Sequence, residues 1–525
     1  MKKSNTYLSS ISDIKPRTIG NITTFEVNSS DIQAVFRELI ETKELQFKLI
    51  DATDERNTDG GYKVWYIFGV PKENRYIVPF IRLVNVEKFP SVASISVAAT
   101  NYERKIQSFF GLTAVGNPDN RPLILHENWP ENVYPLRKDF ALHTRPGTAK
   151  GKYEFQRVNG DGIYEVPVGP IHAGIIEPGH FRFSLAGESI MLLEARLGYV
   201  HKGTEKLFES LSLKDQLKLS EKISGDSSFS HSLAFCQAIE QLADITVPVR
   251  AKYLRTVYAE LERLANHLGD IGALMLDAGF NFGGAHGARL REIAVRINQQ
   301  LTGSRFLRGV NAVGGVTKDI DNQSAKDVAA QLSALLKDFN EVITVAEDSA
   351  SLLNRLKSTG PLLPQIANDY SALGVAAKAV GIEIDARVQY PYAAYDVLPL
   401  KNISTEQSGD VNARFYVRVK EVRSSIDILH RALKALPTGD IVARYAGKAP
   451  TLAKDSMAIG CVEGWRGEIL HFITTDNHGN INRIAVRDPS FINWQIVGYC
   501  GQTQIIPDFP LINKSFNLSY TGHDL

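Results

Sequence analysis

Leu254-Arg255-Thr256-Val257-Tyr258-Ala259-Glu260-Leu261-Glu262-Arg263-Leu264-Ala265-Asn266-His267-Leu268-Gly269-Asp270-Ile271 sets the architecture of this chain. Leu254, Val257, Leu261, Leu264, Leu268 and Ile271 recur at spacings of three and four, which draws one apolar seam along a long helix. Val328, Leu332, Leu335, Phe339 and Val342 repeat the pattern and predict a second such helix. Helical patterning begins near residue 204. Just before it, Phe181, Phe183 and Leu185 alternate with polar residues. Ala186-Gly187-Glu188 then turns the chain and Ile190 and Leu192 continue, which is the pattern of a hairpin. Toward the other end, Ile469 to Thr474 and Ile481 to Val486 flank the turn Asn477-His478-Gly479-Asn480. The expectation is a helical core with β elements at both its ends.

The amino-terminal third has a different character. Ile32 to Leu45 carries helical patterning, whereas Tyr62 to Val70 and Arg75 to Leu83 read as strands rich in β-branched and aromatic residues. The polar stretch from His143 to Lys152 separates this part from the rest. The fold class expected is therefore α+β. A small α+β domain occupies 1–145, a linker 146–160, and a mainly α-helical domain with β elements at both ends 161–525.

Composition narrows the function classes. Of 525 residues, 44% are hydrophobic and 22% charged, ordinary for a globular protein, and the net charge of +1 gives no electrostatic case for nucleic-acid binding. No stretch approaches the roughly 20 apolar residues of a spanning helix, and Met1-Lys2-Lys3-Ser4-Asn5 is not followed by the apolar run of a signal peptide. The expected location is cytoplasmic, with any membrane attachment made through partners. Cys236, Cys461 and Cys500 form no Cys-x-x-Cys pair, so each reads as a small buried hydrophobe rather than a metal ligand. Neither a Gly-x-Gly-x-x-Gly block nor a Walker-type loop is present, so no nicotinamide, flavin or nucleotide site is readable.

Several blocks, each weak alone, are specific in their order. They are Gly169-Pro170-Ile171-His172, Glu177-Pro178-Gly179-His180-Phe181-Arg182-Phe183, His201-Lys202-Gly203-Thr204-Glu205-Lys206 and Ala259 to His267. Pro391-Tyr392-Ala393-Ala394-Tyr395-Asp396, Glu463-Gly464-Trp465-Arg466-Gly467-Glu468 and Arg487-Asp488-Pro489-Ser490-Phe491 follow. Together with Asn101 to Leu112, Gly116 to Leu123 and Pro135 to Phe140 in the first domain, they resemble the C and D subunits of respiratory complex I fused in one chain. They also resemble the large subunit of membrane-bound, energy-converting NiFe hydrogenases. The resemblance covers nearly the whole chain.

That family holds nickel and iron with two cysteine pairs. The first pair lies in a Cys-Gly-x-Cys-Ser-x-x-His pattern, where this chain has Ser224-Gly225-Asp226-Ser227-Ser228-Phe229-Ser230-His231. The second lies in Asn-Leu-Cys-x-x-Cys, where this chain has Asn517-Leu518-Ser519-Tyr520-Thr521-Gly522. Ser224, Ser227, Ser519 and Gly522 thus replace all four ligands. Nickel and low-valent iron need soft thiolates, which neither a protonated hydroxyl nor glycine supplies. Ending at Leu525, the chain also has no carboxyl-terminal tail of the kind cut from hydrogenase precursors, as expected of a protein that receives no nickel.

In complex I the equivalent cavity takes the quinone headgroup. By resemblance, Glu177, His180, Asp226 and Arg466 are the candidate catalytic residues, with His172, Ser224 and Ser227 on the wall of a quinone pocket. Glu177 matches the proton-relaying carboxylate of the hydrogenases, and Arg466 the arginine that overhangs their metal centre. No metal is expected in this chain. The resemblance implies a small partner subunit with a 4Fe-4S cluster, antiporter-like membrane subunits, and peripheral attachment at the inner face of the cell membrane. It also implies electron transfer to a quinone or similar acceptor, coupled to ion translocation. The alternative is a non-redox subunit that couples a soluble module to an ion-translocating membrane complex.

Overall fold

The computed structural model describes residues 14–173, 176–444 and 450–525; the amino-terminal stretch Met1 to Asn5 lies outside them. The fold is α+β. Its first unit is a five-stranded sheet of β1 (Arg17–Ile19), β2 (Ile22–Glu26), β3 (Gln46–Glu55), β4 (Gly61–Val70) and β5 (Arg75–Val84), in the order β1-β2-β5-β4-β3. Only β2 and β5 run parallel; the other neighbours are antiparallel. Two helices, α1 (Ile32–Arg37) and α2 (Ala99–Phe110), complete the unit, and Phe36 and Phe47 lie within one aromatic cluster beneath it. The helix expected to reach Leu45 changes to a π-helical turn at Glu38–Thr42 and stops before Glu44, whose φ is +53°.

Between the domains, residues 146–160 form no strand or helix. They are nonetheless anchored: the Arg196 guanidinium lies 4.3 Å from the Tyr153 ring and that of Arg182 lies 4.4 Å from Phe155. Beyond them, β6 (Ile163–Val168), β7 (His180–Ala186) and β8 (Ser189–Arg196) make an antiparallel sheet that includes the expected hairpin.

The helical core is built around α4 (Val249–Asp277), which follows α3 (Ser228–Leu242) and precedes α5 (Asn281–Thr302). Its seam residues Leu254, Val257, Leu261, Leu264, Leu268 and Ile271 are all at most 1% exposed. A Cβ on Gly272 would lie 2.8 Å from Gly287 Cα, so α4 and α5 approach at a glycine pair that admits no side chain. The second expected helix is α6 (Asn322–Glu347), and α7 (Val411–Lys434) packs against both. An antiparallel sheet of β9 (Met457–Gly464), β10 (Gly467–Thr475) and β11 (Ile481–Arg487) comes next, then helices α8 (Pro489–Gly501), α9 (Phe509–Phe516) and α10 (Tyr520–His523).

Buried ion pairs lock the two domains together. Lys48 on β3 reaches Glu468 on β10 at 2.7 Å, and Arg483 on β11 reaches Asp51 at 2.9 Å, with each side chain at most 4% exposed. The amino-terminal sheet therefore braces the β9–β10 hairpin, whose turn carries Trp465 and Arg466.

Candidate functional site

Three chain segments meet at that turn. The loop before α3 brings Ser224, Asp226 and Ser227; the β9–β10 turn brings Arg466; the carboxyl-terminal segment brings Ser519 and Gly522. Local chemistry sets each one. Ser227 N–H donates to Ser224 O at 3.0 Å and closes the turn into α3. At the far end Asn517 takes a left-handed conformation (φ +46°), and Ser519 Oγ then caps α10 by accepting the Gly522 N–H at 2.9 Å. Ser519 is held further by its own N–H on Ser490 Oγ at 2.9 Å, and by the Trp494 indole on its carbonyl at 3.2 Å.

The positions that resemble metal ligands therefore come together, bonded to one another. Ser224 Oγ lies 2.9 Å from Ser519 Oγ and 2.9 Å from Asp226 Oδ1. Gly522 has a filled neighbourhood: a Cβ there would lie 2.5 Å from Asp488 Cγ and 2.8 Å from both its carboxylate oxygens. Asp488 caps α8 through the Ser490 N–H at 2.7 Å and bonds His231 Nε2 at 2.9 Å. With two hydroxyls bonded to each other, a carboxylate in place of the fourth side chain and no thiol, these residues do not fit a nickel–iron centre. Among the described residues, no group of three or more His, Cys, Asp or Glu is arranged to hold a metal ion.

Charge is balanced at the rim. Arg466 donates to both oxygens of Asp226, at 2.6 and 2.7 Å, and through Nε to Asn517 O at 2.5 Å. Burial alone would raise the Asp226 carboxyl, and the guanidinium overrides it, holding Asp226 below the usual carboxylate range. The Asp226 side chain is 38% exposed and that of Arg466 only 5%, so the pair opens outward through the carboxylate. Asp226 is thus an ionised acceptor and a poor proton donor.

Glu177 is the better acid. Desolvation raises its carboxyl, and among the described residues its one backbone donor is the Thr521 N–H at 3.3 Å, which ties it to the same carboxyl-terminal segment. The two histidines of that loop act on its backbone. His172 Nε2 lies 2.7 Å from Gly179 O, and His180 Nδ1 lies 3.2 Å from Gly169 O, so both staple the loop closed. Among the described residues His180 Nε2 is buried without a partner, and burial lowers the pKa of the ring. Of the expected site residues, Ser224, Asp226, Arg466 and Ser519 are in direct contact, Glu177 joins them through Thr521, and His172 and His180 support the loop.

Two groups escaped sequence reasoning. Glu262 on α4 accepts from Phe229 N at 2.7 Å and from Ser230 N at 3.1 Å, anchoring the start of α3, and burial pushes its carboxyl up to about 7. His471 on β10 lies 3.2 Å from His231, completing a buried row that ends at Asp488. A separate cavity of about 430 Å³ lies between the domains, lined in part by Tyr76, Gln237, Tyr390 and Tyr392, and includes none of the expected site residues.

Comparison with known proteins places this geometry in context. Residues 277–458 and 450–524 match the family described as respiratory-chain NADH dehydrogenase, 49 Kd subunit, and residues 25–146 match the 30 Kd subunit. The chain is 32% identical to formate hydrogenlyase subunit 5 of Escherichia coli over 478 residues, 90% of this chain and 83% of that protein. It is 32% identical to the C/D subunit of NADH-quinone oxidoreductase of Phocaeicola vulgatus over 417 residues, 75% and 78% of the two chains. With the carbon monoxide-induced hydrogenase of Rhodospirillum rubrum it shares 30% over 357 residues, 67% and 97%.

Proposed function

The chain belongs to the family of the 30 Kd and 49 Kd subunits of respiratory-chain NADH dehydrogenase, here joined in one polypeptide, and from that premise we propose its function. It is the large subunit of a membrane-associated oxidoreductase related to complex I and to hydrogenases, working without a nickel–iron centre. A 4Fe-4S cluster in a small partner subunit delivers electrons to a quinone or similar acceptor at the Asp226–Arg466 edge. Antiporter-like membrane subunits couple the reaction to ion translocation. Among the described residues no helix is long and apolar enough to cross a membrane, so attachment at the cytoplasmic face is assigned to those partners.

The observation that carries this reading is the meeting of Ser224 and Ser519 at 2.9 Å beside Arg466, with the raised carboxyl of Glu177 tied to the same segment. Reduction of a quinone to a quinol takes two electrons and two protons. The partner cluster supplies the electrons, and Glu177, with its raised carboxyl, is suited to supply protons. Ile171 and Ile176 on the loop beside Glu177 are 87% and 53% exposed, an apolar rim suited to a partner chain.

The direct Ser224–Ser519 bond and the packing of Asp488 against Gly522 also favour a second reading, a closed site in a non-redox coupling subunit. Electron paramagnetic resonance of the purified assembly separates the two. A reduced cluster signal that vanishes on mixing with quinone, in a preparation free of nickel, supports electron transfer. A preparation verified to hold no cluster leaves only the coupling role.

A further inference from the structure

We propose that the cavity between the two domains binds a small, flat, uncharged aromatic compound whose carbonyl oxygen accepts a hydrogen bond from Gln237. The site shares no residue with the Asp226–Arg466 edge, and the inference stands independently of the oxidoreductase reading. At about 430 Å³ the cavity has the size of a small-molecule site. Asn21, Asn74 and Tyr76 of the first domain line it together with residues of the second, so an occupant touches both domains.

The buried part of the lining suits a ring. Tyr76 on β5 and Tyr390 stack with centroids 5.5 Å apart and an angle of 14° between their planes, and both are 1% exposed. Leu233, Ile459 and Cys461 add apolar surface that is at most 5% exposed. Tyr390 directs its hydroxyl to Gln46 Oε1 at 2.9 Å, and the Tyr392 hydroxyl accepts the Glu463 N–H at 3.0 Å. What these tyrosines offer an occupant is therefore mainly ring surface, against which another flat ring packs in offset or edge-on contact. Charge on the lining is balanced, with Lys252 and Arg255 against Glu240 and Asp244. Glu240 is already committed, since its carboxylate takes two bonds from Arg255, at 2.5 and 3.0 Å, and the Gly314 N–H at 2.7 Å. An uncharged occupant fits that balance.

Gln237 on α3 gives the site its direction. Its amide oxygen accepts the Cys461 N–H at 3.1 Å. A backbone N–H only donates, so the amide cannot be reversed, and its nitrogen is the end left over. That nitrogen is buried and has no acceptor among the described residues. Gln241, one turn further along the helix, differs: its nitrogen donates to Ile459 O at 2.9 Å. A buried donor without an acceptor is costly, and a carbonyl oxygen in the cavity would satisfy it. The backbone around the cavity is strained as well. Asn74, Asp244 and Ala393 hold φ of +48°, +51° and +50°. Asparagine and aspartate tolerate this region, whereas alanine adopts it against its Cβ. Such strain persists where surrounding contacts fix it, and ligand sites are among the places where it collects.

The test uses the intact assembly and 7-methoxy-4-methylcoumarin, a flat, uncharged, fluorescent lactone. Fluorescence titration is expected to show one saturable site per chain. Gln237→Leu is expected to weaken binding about fivefold to tenfold, the worth of one hydrogen bond. Gln237→Glu keeps the bond to Cys461 and sets an oxygen where the donor stood, so its loss should be at least as large. Thr246→Trp fills the cavity from an exposed position of the lining and is expected to abolish binding without disturbing the core. Thermal unfolding without the probe checks that each variant is folded. No saturable binding by the wild type, or binding unchanged in either Gln237→Glu or Thr246→Trp, overturns the site.

Discussion

Gly522→Ala gives the most direct test of how the site is filled. Helix propensity favours alanine over glycine by roughly 0.5–1 kcal/mol, and Gly522 lies within α10. Sterics oppose it, because the new Cβ would lie 2.5 Å from Asp488 Cγ. Asp488 cannot yield freely: it is 1% exposed, caps α8 and bonds His231. Overpacking of this kind costs about 1–3 kcal/mol, and a displaced cap adds about 1 kcal/mol. The clash wins, and Gly522→Ala should destabilise by roughly 1–3.5 kcal/mol net of propensity. Denaturant unfolding of the wild type, Gly522→Ala, Asp488→Ala and the double variant measures this as a cycle. The double variant should be less damaged than the two losses combined, since Asp488→Ala vacates the space. A neutral or stabilising Gly522→Ala, or strictly additive losses, would refute the claim that the Asp488 carboxylate fills this position.

The remaining expectations are smaller in scope. Placing cysteine at positions 224, 227, 519 and 522 should yield no nickel on elemental analysis of the assembly, because the thiol at 522 enters the same clash with Asp488. Lys378→Met should destabilise by about 1–3 kcal/mol in denaturant, since it takes the buried ammonium from Asp385 and Glu421, each 2.7 Å away, and leaves the first to Arg387 and the second to His267. Glu262 is raised to about 7 by burial, so the fold favours its protonated form. That stability is complete below about pH 4 and lost as pH rises through 7, on the order of 3 kcal/mol in all. Glu262→Gln should flatten the stability–pH curve across that window, as followed by thermal unfolding at fixed pH values.

The parts of the fold legible in the sequence are those where one face is apolar. The α4 seam and the β10–β11 hairpin could be placed because their periods survive in the side chains. Strand β3 could not: its Lys48, Asp51 and Asp54 are all at most 5% exposed, so charges sit where alternation would put apolar residues. Their partners, Glu468 and Arg483 for the first two, lie more than 400 positions away. Helix α7 hides for the same reason, with Arg414, Arg418 and Glu421 buried against the core. The four substituted ligand positions were readable as residues through family resemblance. Their contacts were not, because a bond between Ser224 and Ser519 leaves no trace in spacing. Asp488 was legible as a helix start, and its second task of occupying the space beside Gly522 was not.

The absence of soft ligands leaves a polar site that must satisfy itself. Buried hydroxyls and carboxylates cost free energy unless bonded, and an unpaired charge costs more. Here the hydroxyls bond each other, and the acids are shared among Arg466, Arg418 on Asp270 and His231 on Asp488. Arg466 pairs with Asp226 directly, lowers the pKa of Asp488 through space, and reaches Asp270 by way of Asn517, whose amide donates to that carboxylate at 2.6 Å. The positive charge that a metal would bring is supplied by a side chain that cannot change oxidation state. On the proposed reading, redox chemistry belongs to a bound acceptor and a partner cluster, and what this chain itself contributes is charge, position and protons. That division makes Arg466→Lys informative: it keeps the charge but loses the two-point grip on Asp226. Acceptor reduction should fall in that variant even where the assembly and its cluster remain intact. Unchanged reduction would mean that the Asp226–Arg466 edge is not where the acceptor binds.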